Sequence, residues 1–257
     1  MVGPPLYAGI LSAGTGAHYL WNVGTFDELV QKWNELNTSD LRLTGVSSGQ
    51  NSETDHWFIG VWNDRGGVSS LWRTTDWAFF MSKFEAGQSQ SRLLDFDIKP
   101  FGSQLYFMGT WGDTPVAQEF VHDRGWDDFV AEWKRLSNQG MRLVKIQAFA
   151  HSGDDYHLTG LFEAGSGNYA FYVYTDMRKF LQQYNDLGNS MQLVDFEIFV
   201  AQSGTTYYIG VWRETSGKHY FLTELDWDRF LDTLDYMNLD GFRLQKPIRY
   251  SSQRQEN

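Results

Sequence analysis

The chain has 257 residues, with 21 Lys and Arg against 32 Asp and Glu, a net charge of −11, and no cysteine. This excludes disulfides, thiolate nucleophiles and Cys-ligated metals, and argues against nucleic acid or an anionic membrane as partner, since both need clustered basic side chains. Hydrophobic residues make up 42% and aromatic ones 17%, enough for a substantial core, and no apolar run nears the roughly 18–20 residues that cross a bilayer.

In chain order, LYAGIL around Gly9 is short, aromatic and β-branched, which predicts a strand. After the turn at Gly14-Thr15-Gly16, HYLW reads as a second strand hairpinned onto the first. Thr25 then stands where a side-chain oxygen caps free amides, and a helix is expected from Phe26. Arg42-Leu43 opens a last strand that runs through a short turn into the next copy of the same pattern.

That copy follows four times. The strand glycine recurs at Gly9, Gly60, Gly109, Gly160 and Gly210, spaced 51, 49, 51 and 50 residues apart. The first helical residue recurs in the same steps as Phe26, Trp77, Trp126, Met177 and Trp227. The pair opening the last strand recurs as Arg42-Leu43, Arg92-Leu93, Arg142-Leu143, Gln192-Leu193 and Arg243-Leu244. Within the helices, Trp126, Phe129, Val130, Trp133 and Leu136 form one apolar stripe, as do Met177, Phe180, Leu181, Tyr184 and Leu187. Asp76, Asp176 and Asp226 stand as caps, and Gly140 and Gly241 where helices should stop.

The fold class is therefore α+β: five tandem ββαβ repeats in one domain, with units 6–53, 54–103, 104–155, 156–205 and 206–250. A glycine inside a strand weakens it, so a crowding neighbour is expected at each repeated one. If the last strand pairs with the first, the units close into a propeller-like ring with helices outside. The alternative is an open array blunted by Pro4, Pro5 and Pro247.

The glycine-centred Tyr/Trp strand, the aromatic helix stripe and the following G-x-RL strand resemble the bacterial tandem-repeat domain. That domain also forms the non-catalytic N-terminal part of fungal polyglycine hydrolases. WFIGVW, GMRLVKI, YYIGVW and GFRL carry the resemblance over almost the whole chain. In those hydrolases a separate domain holds a Ser-x-x-Lys nucleophile. Here Ser82-Lys83 and Ser216-Gly217-Lys218 have the wrong spacing, so the resemblance implies binding or scaffolding rather than hydrolysis. Five ββαβ units also look like the pentein fold, whose enzymes depend on a cysteine that this chain lacks.

Candidate site residues follow from departures from the repeat. Trp62, Trp111 and Trp212 lie two residues after the glycine, Trp77, Trp126 and Trp227 open helices, and Trp33 and Trp133 sit seven residues, two turns, further on, all read as core. Trp21, Trp57 and Trp72 are less tightly repeated, and Trp57 is taken as a binding candidate. Asp95 and Asp97 in unit two, and Asp195 and Glu197 in unit four, place two carboxylates on one strand face. The matching places hold Gly45 and Ser47, Lys145 and Gln147, and Lys246 and Ile248. Such a face is ordinarily solvated, but these acids could also grip a basic peptide, bind Ca²⁺ or form an acid–base pair. Glu119, His122, Asp123 and Arg124 form a small polar cluster read as an exposed turn, and the repeated arginines are expected to tie turns together.

No metal spacing and no phosphate- or dinucleotide-binding motif occurs, so no metal and no cofactor is expected. The reading is a non-catalytic recognition or scaffold module for a peptide, protein or glycan, with no nucleic acid and no membrane insertion. An enzyme with a carboxylate site among the repeats and a self-assembling structural protein are the alternatives. No leader-like segment opens the chain, and a secreted protein whose signal was removed and a cytoplasmic one both stay open, as does the oligomeric state.

Overall fold

A computed structural model of the chain describes residues 2–37, 40–52, 55–64, 67, 69–87 and 89–253. The first repeat contributes β1 (Val2–Ala13), β2 (His18–Val23), α1 (Phe26–Asn37) and β3 (Leu41–Gln50). The second contributes β4 (His56–Asp64), β5 (Ser69–Thr74), α2 (Trp77–Gly87) and β6 (Arg92–Phe101). The third has β7 (Gln104–Gly112), β8 (Gln118–Arg124), α3 (Trp126–Asn138) and β9 (Met141–Ser152). The fourth has β10 (Asp155–Ala164), β11 (Tyr169–Tyr174), α4 (Met177–Leu187) and β12 (Gln192–Val200). The fifth has β13 (Thr206–Arg213), β14 (His219–Leu225), α5 (Trp227–Leu239) and β15 (Phe242–Gln253). The fold is α+β, as the repeat pattern predicts.

The helices start where their caps stand. Thr25 Oγ1 accepts from the Glu28 amide at 3.2 Å, while Glu28 Oε2 accepts from the amides of Gly24 and Thr25 at 2.9 and 3.0 Å, a reciprocal box. Asp76, Asp176 and Asp226 each accept from a first-turn amide. Only α3 among these helices has glycine, Gly125, at its cap, with no side-chain bond there. Gly140 and Gly241 both take φ of +80°, the left-handed conformation that ends a helix. The repeated arginines bind these ends: Nη1 of Arg142 donates to Ser137 O at 2.9 Å and that of Arg243 to Asn238 O at 3.0 Å. Arg142 Nε also reaches Gly167 O, and Arg243 Nε reaches Gly16 O, so each ties a helix end to a turn.

Strand pairing departs from the expected hairpins. The five sheets have three antiparallel strands each, in the orders β2-β4-β3, β5-β7-β6, β8-β10-β9, β11-β13-β12 and β14-β1-β15. The last strand of a repeat does hairpin onto the first strand of the next. The first and second strands of one repeat do not pair, because both edges of that first strand are already used. In β4, Trp62 lies opposite both Tyr19 of β2 and Leu43 of β3. Turns such as 163–167 are therefore crossings between sheets, and the turn at 63–67 lies partly outside the described residues. The strand β1 takes the middle place between β14 and β15, with Ala8 opposite Ile248 and Ala13 opposite Phe242.

Every last strand also carries a register shift one residue after its Arg-Leu or Gln-Leu pair: between Leu43 and Gly45, Leu93 and Asp95, and Leu193 and Asp195, with matching breaks in β9 and β15. This bulge switches the side-chain alternation. Leu143 and Ile146, three residues apart, both join the core around Phe129 beneath α3.

The repeated glycines are explained by contact. A Cβ at Gly160 would lie 2.8 Å from both Leu143 Cδ1 and Phe129 Cζ, and one at Gly9 would lie 2.6 Å from Leu244 Cδ1 and 3.1 Å from the Phe230 ring. The helix and the last strand press on the middle strand there, and only hydrogen fits. Trp62, Trp111 and Trp212 are buried as expected. The residues that open the helices sit less deep: Met177 is buried, Phe26, Trp77 and Trp227 are half-buried and Trp126 is 40% exposed, while the deepest helical position is three residues later, Leu29, Phe80, Phe129, Phe180 and Phe230. A first-turn residue overhangs the edge of the sheet, whereas the next turn lies over its middle.

The chain divides into two compact units, one of residues 1–115 with 220–257 and one of residues 116–219. The first contains cores around Phe230 and Leu244 and around Leu29 and Trp62. The second is built on Phe129, Phe162, Phe171 and Ile209. Gly160→Ala should cost about 1–3 kcal/mol through overpacking, read as a lower urea midpoint at unchanged slope.

Candidate functional site

The bulge turns the four candidate carboxylates away from the helix, and the expectation of a solvated face fails there. Asp95 and Asp195 are 0% exposed, Asp97 1% and Glu197 3%. Asp95 Oδ2 accepts from the Val46 amide at 2.9 Å, and Asp195 Oδ2 accepts from the Ile146 amide at 2.6 Å. Each carboxylate thus caps a peptide N–H on the last strand of the preceding repeat, where that strand is the outer one of its sheet. Asp97 accepts from the Ser48 hydroxyl, and the Thr110 hydroxyl donates to Leu43 O at 2.8 Å. The alternation of charge along the repeats is a pairing scheme: Lys246 Nζ lies 3.7 Å from Asp95 and Lys145 Nζ 3.8 Å from Asp195. At the matching position Gly45, a Cβ would lie 2.9 Å from Gln245 O, so backbone approaches where others place a side chain.

Asp95 and Asp97 lie in the unit of residues 1–115 with 220–257, and Asp195 and Glu197 in that of residues 116–219. No surface remains on any of them for a ligand to touch. Trp57 is likewise buried, at 8%, in the core with Tyr7 and Phe230, and Arg249 covers its ring at 5.0 Å. Among the described residues, no three His, Asp or Glu side chains are placed to hold a metal ion.

The polar cluster before α3 is exposed at Glu119, Asp123 and Arg124 but not at His122. The His122 ring meets Thr159 Oγ1 at 2.9 Å, and burial, against the pull of Asp123, lowers its pKa to about 4. His18 is lowered to about 4 by burial and by Arg243, and its repeat equivalent His219 is lowered by burial. Asp123, at φ of +56°, meets Nδ1 of His157 at 2.5 Å.

An accessible concavity lies elsewhere, in the unit of residues 116–219. It is an open groove of about 490 Å³ lined by Trp126, Tyr156, Tyr172, Tyr174, Lys179 and Tyr207 among others. Trp126 opens α3, the segment Phe171–Thr175 follows the edge strand β11, Tyr156 and Tyr207 come from β10 and β13, and Lys179 from α4. The Trp126 ring lies 5.5 Å from Phe171 and 6.5 Å from Tyr156, and Tyr156 lies 4.9 Å from Tyr207. Burial pushes the Tyr156 phenol up to about 12, helped by Tyr207 and Asp155, and also raises those of Tyr174 and Tyr207. The groove thus offers flat apolar faces edged by neutral hydroxyls.

Sequence reasoning assigned Trp126 to the core and did not consider the tyrosines. A signal was available: Trp21, Trp72 and Tyr172 all stand opposite a repeated glycine, at Gly60, Gly109 and Gly210. They are 38%, 40% and 38% exposed, so the looser repetition of Trp21 and Trp72 does mark surface residues.

The segment that supplies Trp126 and Tyr156 to the groove is β8, α3, β9 and β10, residues Gln118 to Ala164, one complete sheet with its helix. Residues 115–164 match the family described as polyglycine hydrolase-like, structural repeat. The resemblance read from the sequence is thereby found again. The bounds of this polyglycine hydrolase-like repeat coincide with the sheet rather than with the span 104–155 of the sequence period, because the sheet borrows its middle strand from the next period. No curated protein matches the chain.

Two outcomes are expected. Asp195→Ala leaves Lys145 and the Ile146 amide without their acceptor and should cost about 3–5 kcal/mol in chemical denaturation, with Asp195→Asn costing less. His18, His122 and His219 are held neutral by the fold, while the unfolded chain binds protons near 6.5. Stability should therefore rise with pH from about 4 to about 6.5 and be lost on acidification through that window. His122→Gln should flatten this slope when urea midpoints are compared across the window.

Proposed function

We propose that the protein is a non-catalytic recognition module that holds an extended ligand, a peptide, protein segment or glycan, against the aromatic groove of residues 116–219. The observation that carries this reading is the exposure of Trp126 and Tyr172, at 40% and 38%, where both line a preformed groove. Large aromatics cost free energy in water, and groups of them around a concavity are how proteins bind flat or extended ligands without chemistry. The buried carboxylates, of which Asp95 and Asp195 hold peptide amides and Asp97 a serine hydroxyl, serve the fold in this reading. The family match to a structural repeat agrees with it.

We further infer that the five repeats form one domain closed into a ring. Support comes from β1, which occupies between β14 and β15 the middle place held by β4, β7, β10 and β13 in the other sheets. No free sheet middle is then left at either chain end.

Screening the protein against arrays of peptides and oligosaccharides tests the recognition reading. Trp126→Ala and Tyr172→Ala should each weaken the strongest ligand roughly tenfold or more, as loss of an aromatic anchor does. Unchanged affinity in both variants would contradict it.

A further inference from the structure

The chain stacks its own cations on the aromatics that face solvent. Lys32 Nζ sits 4.1 Å from the centre of the Trp21 ring, and Lys83 Nζ sits 4.4 Å from that of Trp72. The arrangement repeats with the sequence: Trp21 and Trp72 both lie opposite the strand glycine, and both lysines come six residues after the first residue of the following helix.

Tyr172 holds the same position opposite Gly210, but six residues after Met177 the helix α4 has Gln183. Gln183 instead accepts a hydrogen bond from the Tyr174 hydroxyl at 2.9 Å, along the edge of the groove. Among the described residues, no cation stacks on Tyr172 or on Trp126. The position that two repeats fill with an internal ammonium is therefore left to solvent in the one repeat whose aromatic opens into a groove.

The charges around the groove favour the same kind of occupant. Burial is the main cause that raises the phenols of Tyr156, Tyr174 and Tyr207, and the charges of Asp155, Asp186 and Asp154 in turn add to it. Lys179 is the single cation lining the groove, and its charge acts on Asp176 at the start of its own helix. No carboxylate lines the groove itself, but an aromatic face attracts an ammonium or guanidinium through the ring quadrupole, and negative charge near enough to act on its phenols adds to that attraction.

We propose that the groove takes a Lys or Arg side chain of an extended peptide segment of a partner protein, seated on Tyr172 where Lys32 and Lys83 sit on Trp21 and Trp72. This rests on the recognition reading and adds the charge of the ligand to it.

The test is calorimetric titration of the full chain, at about 0.15 M salt so that diffuse surface charge is screened. The probes are a lysine–glycine heptapeptide, its glutamate counterpart and cellohexaose. The lysine peptide should bind and the glutamate peptide should not. Tyr172→Ala should weaken the lysine peptide roughly tenfold or more. Gln183→Lys gives up the bond from the Tyr174 hydroxyl and restores the internal ammonium, and it should weaken the peptide to a similar extent, whereas Gln183→Met, which gives up the same bond without adding charge, should not. Binding of cellohexaose or the glutamate peptide instead, abolished by Tyr172→Ala and indifferent to Gln183→Lys, would overturn the cation and leave the recognition groove standing. Lysine-peptide binding untouched by both Tyr172→Ala and Trp126→Ala would overturn both. No binding of any probe would overturn the cation proposal.

Discussion

Everything in this fold depends on one constraint: the middle strand of each sheet belongs to the next repeat. A strand has two hydrogen-bonding edges, and β4 gives one to β2 and the other to β3. No repeat can therefore complete its own sheet, and a helix with one apolar stripe cannot bury that stripe without it. The strand glycine follows from the same arrangement, since the middle strand runs beneath the helix where Phe129 or Phe230 presses down. The first strand of the chain meets the same need in the last sheet.

The second layer of the design lies on the face away from the helices. The bulge in each last strand turns a position two residues after the leucine into a connector, and chemistry there differs by repeat. Where it is Asp, it caps an amide of the preceding repeat. Where it is Lys, its ammonium lies near such an aspartate, and where it is Gly, backbone packs closely. A buried ion pair adds little net stability, but removing one member leaves a charge with no compensation. Such pairs distinguish one repeat junction from another, which five near-identical apolar sheets would not do alone.

The periodic features were legible in the sequence because they answer to local rules. Caps at Thr25, Asp76, Asp176 and Asp226, stops at Gly140 and Gly241, and the core indoles Trp62, Trp111 and Trp212 each recur at one fixed place of the period, in several units though not in all. The phase of the repeat was not legible. A period has no natural start, and the turn at 163–167 has hairpin length although its flanking strands belong to different sheets. The burial of Asp95 and Asp195 was hidden for a related reason: alternation predicts which residues share a face, but not what covers that face. Tyr172 was overlooked because tyrosine replaced tryptophan at a repeated place, and the absence of a lysine at Gln183 carries meaning only after the stacking of Lys32 on Trp21 is known.

The central claim is tested most directly by removing residues 1–13 and following thermal unfolding with and without a synthetic peptide of residues 2–13. If β1 is the middle strand of the last sheet, the shortened chain should melt at a clearly lower temperature, and the added peptide should restore much of the loss in a concentration-dependent way. A shortened chain that melts like the intact one, indifferent to the peptide, would contradict the account.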